Sequence, residues 1–292
     1  MTKEDQPLDR RKTKFYLAPM VRYSKLAFRK LVRLYDVDCC YTPMIYAKNF
    51  LESEHCRSSE FSTTPGIFVS RLKAMNISIL PDDRPLIVQF ASDDPFVFGS
   101  AAELVYKYAT GVDLNCGCPK SDVRAKGFGS FLLNRPELLA DMVRQCRARI
   151  HDPDFTVIFL LFFSSRMCKT CDDDLPDLFE NTRTVSSGKD YRSMQKGRNG
   201  FHAEKAGVSH LTVHGRTPSM RCEPVDYDAI RIVKESVSVP VIANGDVTQR
   251  SQALEIAETT GVDGVMAANG LLYNPALFAG YEYTPASCIR DF

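Results

Sequence analysis

Two thiols, Cys116 and Cys118, lie inside the stretch from Gly111 to Gly129, GVDLNCGCPKSDVRAKGFG. A cysteine of reference pKa ~8.5 is mostly protonated at neutral pH and can act as a general acid, whereas nucleophilic work needs a lowered pKa and a paired base. Ala109, Val112 and Leu114 read as a short buried strand, which Gly117 and Pro119 break into a loop of small and basic residues. That strand ends at Cys118. In parallel α/β folds the loops at the carboxyl ends of the strands form the active face, so a thiol there is placed for chemistry. Free cysteine is also among the most buried residue types, and on the local pattern alone the two readings are level. Cys168 to Cys171, CKTC, has metal-site spacing, but no second cysteine or histidine pair stands at a suitable distance, so no metal is expected.

Short apolar strand candidates alternate along the chain with amphipathic helix candidates. The first strand is Phe15 to Met20, followed by the helix-like RYSKLAFRKLVRLY; the second is Cys39 to Ile45; the third is Pro85 to Ala91, with a helix from about Pro95 to Tyr108. The fourth is the cysteine-bearing stretch, with Pro136 to Ile150 as its helix, begun by a proline and rich in arginine at its end. Phe155 to Phe163, His210 to Val213, Pro240 to Ala243 and Gly264 to Ala268 complete eight strands, with helices expected at Asp228 to Glu235 and Ser251 to Thr259. Eight strands with helical crossovers predict an α/β fold, a TIM (β/α)8 barrel. An open doubly wound sheet alternates similarly, but no GxGxxG follows the first strand.

Each expected strand end carries different polar equipment: Pro19, Met20 and Val21 after the first, Gln89 in the third, His214 and Arg216 after the sixth, Asn244, Gly245 and Asp246 after the seventh, and Asn269 and Gly270 after the eighth. The loops after strands seven and eight are where many barrels hold a phosphate on backbone amides. Taken singly, each residue has an ordinary structural explanation; together they mark one face.

The chain has 292 residues, 44% of them apolar, and a net charge of +1, which fits one large barrel and does not by itself call for a nucleic-acid partner. Ten irregularly spaced cysteines form no secreted disulfide framework, and MTKEDQPLDRRKTK lacks the apolar core of a signal peptide. A reducing compartment follows, the cytoplasm or the nucleus. The most apolar run, Val157 to Phe163, is far shorter than the ~20 residues of a membrane span, so no membrane is expected.

The combination of APMVRYSKLAFR, YTPMI, PLIVQFA, DLNCGCP, LTVHGRT, PVIANGD and NPALFAGYE closely resembles the tRNA-dihydrouridine synthases, most nearly their Dus4-type members, over most of residues 15–64, 83–157 and 202–292. The resemblance implies an FMN-binding barrel that reduces a D-loop uridine of tRNA, of the 20a/20b type, to dihydrouridine with NADPH or NADH as reductant. It also implies that Cys118 is the general acid and that Pro19, Met20 and Val21 line the flavin through backbone atoms. Gln89 would bond the isoalloxazine edge with His214 nearby, and Asn244, Gly245, Asp246, Ala268 and Asn269 would hold ribityl and phosphate. The target base must leave its stack, which points to Arg22, Tyr23, Lys25, Lys120, Arg124 and Lys126 as rim contacts.

The departures are as specific as the match. Leu160 stands where the family's fifth strand, in a run like SIKIRI, carries a flavin-binding lysine, and Asn269 stands where an arginine is usual. From about Ile158 to Gly200, and again over 66–80, the residues no longer resemble the family; they read as disordered insertions such as retained intron sequence would produce. The expected organisation is a basic tail at 1–14, the barrel over 15–280 with those two insertions, and the shortened start of a carboxyl-terminal region at 281–292. The alternatives are a catalytically impaired relative that binds RNA or a protein partner, and an FMN barrel acting on a small pyrimidine.

Overall fold

Runs of β-branched and aromatic residues bounded by glycine and proline set up the strands, and the apolar stripes between them set up helices that cover the outside. The computed structural model describes residues 13–63, 83–117, 127–162, 207–216 and 223–291. In chain order these form β1 (Lys14–Leu17), α1 (Leu26–Arg33), β2 (Cys39–Tyr41), β3 (Ile45–Tyr46), α2 (Ala47–Glu52), α3 (Glu54–Glu60), β4 (Leu86–Ala91) and α4 (Pro95–Val105). There follow β5 (Gly111–Cys116), α5 (Pro136–Arg149), β6 (Thr156–Phe162), β7 (His210–His214), α6 (Tyr227–Ser236), β8 (Val241–Asn244), α7 (Arg250–Thr260), β9 (Gly264–Ala267), α8 (Asn269–Tyr273) and α9 (Ala286–Asp291).

All strand pairs are parallel. β2 pairs with both β1 and β4, and β9 returns to β1, so the wall closes as the expected (β/α)8 barrel. Its second strand is in two pieces. Pro43 has no N–H to give to the ladder, so the run expected as one strand from Cys39 to Ile45 stops at Tyr41 and resumes as β3. At the break, the Thr42 hydroxyl accepts the Gln89 amide at 3.1 Å in place of a backbone carbonyl.

The fifth strand corrects one boundary. The insertion expected from about Ile158 does not begin there, because Ile158 to Phe162 lie within β6, paired with β5 on one side and β7 on the other. The alternating bulk of VIFLLF serves a barrel wall buried on both faces. The runs at 66–80 and 163–200 lie outside the described residues.

Side-chain alternation divides the barrel into two layers. Tyr16, Cys39, Tyr41, Ile87, Ile158, Leu160, Ile242 and Met266 fill the interior. Leu17, Val88, Phe90, Val112, Leu114, Cys116, Phe159 and Val265 face the helices. Truncating a fully buried residue of the outer layer, such as Leu114, costs about 2–5 kcal/mol. Caps fix the helix starts: Asp94 accepts from the amides of Phe96 and Val97, with Pro95 opening α4, and Asp226 accepts from Ala229. The last helix, α9, lies against α1 and its end, where Tyr35 meets Ser287 and Asp291 and Cys288 joins Leu31 in a small buried cluster. Among the described residues no helix is long and apolar enough to cross a membrane.

Candidate active site

The alternation that buries Val112, Leu114 and Cys116 outward turns Asp113 and Asn115 inward, beside Gln89 of the neighbouring strand. All three inward residues are buried, Asp113 completely. Gln89 Nε2 donates to Asp113 Oδ2 at 2.7 Å, Asn115 Nδ2 donates to Gln89 Oε1 at 3.2 Å, and the Gly117 amide donates to Asn115 Oδ1 at 3.2 Å. The last bond is a side chain capturing a backbone amide two residues on, which ends β5 in a turn. Asp113 Oδ1 has no hydrogen-bond partner among the described residues. Burial pushes the Asp113 carboxyl well above the usual carboxylate range, against the lowering effects of Gln89 and the Leu160 backbone amide.

Sequence reasoning passed over Asp113 and Asn115, although their signal was available. In D-L-N-C, residues 113 and 115 share the face opposite Leu114 and Cys116. Cys116 is fully buried in the outer layer, with its thiol pushed up by burial, so it takes no part in the mouth chemistry. Cys118, Lys120, Arg124, Lys126 and the CKTC pair lie outside the described residues.

The β7–β8 side of the mouth is built differently. His214 ends β7 beside Asn244, which ends β8. Burial, with help from the Arg216 guanidinium, lowers the His214 imidazole to about 4, so it is neutral at pH 7. Arg216 forks onto the Asp246 carboxylate, one arm at 2.7 Å, and its Nε donates to the Glu223 carbonyl at 2.6 Å. The Tyr227 hydroxyl donates to the Gly245 carbonyl at 2.8 Å. Gly245 has φ 142°, and a Cβ there would meet the Val225 side chain at 2.8 Å, so the backbone runs close at this point. Ala268 packs against the interior cluster while Asn269, at the start of α8, is exposed. Next to it, Gly270 allows the Val247 carbonyl an approach that a Cβ would block at 2.0 Å.

The loop after β1 is held from below. Ser24 Oγ accepts the Met20 amide at 2.9 Å and donates to its carbonyl at 3.2 Å, so both backbone groups of Met20 already serve the turn. Buried Arg29 donates to the Ser24 carbonyl and to Asp83, with 2.7 Å to Oδ2, tying the loop to the entry of β4. Breaking such a buried pair costs about 3–5 kcal/mol. Pro19 and Met20 are half-buried, while Val21, Arg22, Tyr23 and Lys25 are exposed on the surface of this loop. Leu160 points into the barrel interior with Ile158 and Tyr41, and it is 4% exposed. The fifth strand thus presents an alkyl group to the interior, as the sequence indicated.

Fold and site together define a (β/α)8 barrel whose polar groups gather at the carboxyl ends of its strands. The chain belongs to the dihydrouridine synthase family: the model described as Dihydrouridine synthase (Dus) matches residues 16–172 and 181–292. The match runs through most of the segment expected to be foreign, leaving 173–180 between its two parts. An uncharacterised tRNA-dihydrouridine synthase-like protein of Caenorhabditis elegans is 60% identical over 273 residues, covering 94% of this chain and 81% of the relative. The human tRNA-dihydrouridine(20a/20b) synthase [NAD(P)+]-like protein is 47% identical, covering 94% and 74%. The Schizosaccharomyces pombe tRNA-dihydrouridine(20a/20b) synthase [NAD(P)+] is 42% identical, covering 94% and 71%. A crystal structure of TcOYE with pHBA superposes with a TM-score of 0.54 over 90% of this chain and 87% of its own at 9% identity, a likeness of fold alone.

Proposed function

We propose that this chain is an FMN-dependent tRNA-dihydrouridine synthase that reduces a D-loop uridine of the 20a/20b type, the Dus4-type specificity, with NADPH or NADH as reductant. The names of its human and fission-yeast relatives support the choice of uridine and of NAD(P). The observation that carries the reading is the set of neutral amide and imidazole groups, Gln89, Asn115, His214 and Asn244, around the mouth of a barrel of this family.

The residues fit FMN. A flavin's pyrimidine edge alternates donors and acceptors, and Gln89 gives one of its two N–H groups to Asp113 and one lone pair to Asn115, which leaves one of each. On the opposite side, the close-running backbone at Gly245 suits a ribityl and phosphate tail flanked by Asn244, Asp246, Ala268 and Asn269. FMN bound there, once reduced by NADPH or NADH, would supply a hydride to one carbon of the uracil 5,6 double bond. Cys118 gives the proton to the other carbon, Gln89 holds the ring edge, His214 stays neutral beside it, and Pro19, Met20 and Val21 form the near wall. Arg22, Tyr23 and Lys25, exposed on the first loop, with Lys120, Arg124 and Lys126, meet the tRNA, and the working compartment is the cytoplasm or the nucleus.

One observation favours a second reading, a barrel that keeps its RNA contacts without turning over: Leu160 offers no charge to the cofactor edge. The visible spectrum of the purified chain, followed by fluorescence of released flavin and by dihydrouridine assay on unmodified tRNA with NADPH, separates the two. Stoichiometric FMN and new dihydrouridine are expected. A folded, colourless chain that leaves tRNA unreduced overturns the synthase reading.

A further inference from the structure

Three hydrogen bonds described above run in one direction. Gly117 N–H donates to Asn115, Asn115 N–H donates to Gln89, and Gln89 N–H donates to Asp113. Each amide accepts at its oxygen and donates from its nitrogen, so the orientation of one dictates the orientation of the next. Asp113, completely buried between strands, is the final acceptor of the series and also receives the Leu160 backbone amide. Gly117, at the other end, immediately precedes Cys118 in sequence.

We infer that Asp113 is a positioning residue: by fixing which end of the Gln89 amide is oxygen and which is nitrogen, it sets both the face Gln89 offers to a ligand and the turn that leads out of β5 toward Cys118. This deepens the proposed function and rests on that reading for its catalytic meaning, while the relay itself is a property of the chain. Were Gln89 to flip, its N–H would face the Asn115 N–H and its oxygen would face the Asp113 carboxyl. Asn115 would then have to turn as well, releasing Gly117. A buried donor or acceptor without a partner loses its hydration with no compensation, so the alternative orientations are excluded as a set rather than singly.

The groups facing Asp113 give it no ion-pair partner. Gln89 faces it from β4, the Leu160 backbone amide from β6, Tyr41 from β2, and Asn115 and Cys116 adjoin it on β5. None is a cation. Oδ2 accepts from Gln89. An asparagine at 113 keeps an acceptor in the same place and preserves the relay; a leucine removes it.

Backbone hydrogen exchange of the full chain as purified, read residue by residue, tests the series. In Gln89→Met, which cuts the relay while keeping the volume, Gly117 is expected to exchange about tenfold faster, with Leu114 in mid-strand unchanged. Asp113→Leu is expected to match it, Asp113→Asn to stay within about threefold of the parent, and the double variant Gln89→Met with Asp113→Leu to be no faster than Gln89→Met alone. Unchanged Gly117 exchange in Gln89→Met overturns the inference, as does an acceleration shared equally by Val112, Leu114 and Gly117. If Asp113→Leu does not fold, Gln89→Met and Asp113→Asn decide alone. The measurement uses neither tRNA nor added cofactor, so a chain that proves colourless defeats the synthase reading and leaves this result standing.

Discussion

The two sides of the barrel mouth hold their polar groups in opposite ways. On the β4–β5 side, Gln89, Asp113 and Asn115 are buried, and they satisfy one another through directed hydrogen bonds. On the β7–β8 side, order comes from an ion pair, Arg216 with Asp246, whose carboxylate side chain is 53% exposed. A buried network is insensitive to salt and costly to break. A pair whose carboxylate is half-exposed is screened more than a buried one, and an anion can compete for its arginine. On the proposed reading, a flavin would meet a fixed template at its ring edge and an adjustable clasp at its phosphate.

The largest expected effect tests whether the β5 side carries the chemistry at all. Cys118→Ala should keep FMN while dihydrouridine formation falls about 10²–10⁴-fold, the range for loss of a general acid; undiminished turnover removes Cys118 from the mechanism. Next comes the pH dependence of the buried anchor. Asp113 keeps its proton in the fold but loses it in the unfolded chain above its ordinary value near ~3.9, so the parent's stability falls as pH rises from there toward the raised folded value. Asp113→Asn abolishes that slope, and the variant should gain on the parent by up to about 1.4 kcal/mol per pH unit, read from denaturant midpoints across pH 4–8. A constant difference between the two would mean that Asp113 is ionised.

Removing the centre of the buried network, Gln89→Leu, should cost about 1–3 kcal/mol, because Asp113 loses its donor and Asn115 its acceptor. On the other side, His214 gives the opposite pH signature. Its imidazole falls to about 4 in the fold, so stability is lost as pH drops from ~6.5 through 4, and His214→Asn should remove that share of acid sensitivity. The smallest effect belongs to the ion pair. Arg216→Met should cost under about 1 kcal/mol, with the cost shrinking in high salt. A loss as large as that of Gln89→Leu would erase the contrast between the two sides.

Much of the barrel was legible because its signals are local. Pro95, Pro136 and the flanking apolar periods marked α4 and α5 to within a few residues, and the helices expected at 228–235 and 251–259 form at Tyr227–Ser236 and Arg250–Thr260. Thr156–Phe162 could be seen as a strand, yet its departure from the family's residues suggested an insertion; the wall requires apolar bulk with strand periodicity, and IFLLF supplies it. The short helices α2 and α3 gave no clear period. The Gln89–Asp113 bond was out of reach for a different reason: the partners are 24 residues apart and meet only through the register of β4 against β5. Spacing along the chain located the mouth, while its internal wiring is a product of closure.

The break at Pro43 bears on how the barrel breathes. β2 joins β1 through Cys39 and Cys40 and joins β4 through Cys40 and Tyr41, whereas β5 is laddered to β6 along its whole length from Gly111 to Cys116. Beyond Tyr41 the seam with β4 runs through the Thr42 amide on the Ile87 carbonyl and the Thr42 hydroxyl on the Gln89 amide, before β3 takes up the pairing at Ile45. Thr42 bridges the interrupted stretch directly beside Gln89, so Thr42→Val, which loses the hydroxyl, is expected to speed exchange of the Gln89 backbone amide, and Thr42→Ser, which keeps it, to leave that exchange near the parent's.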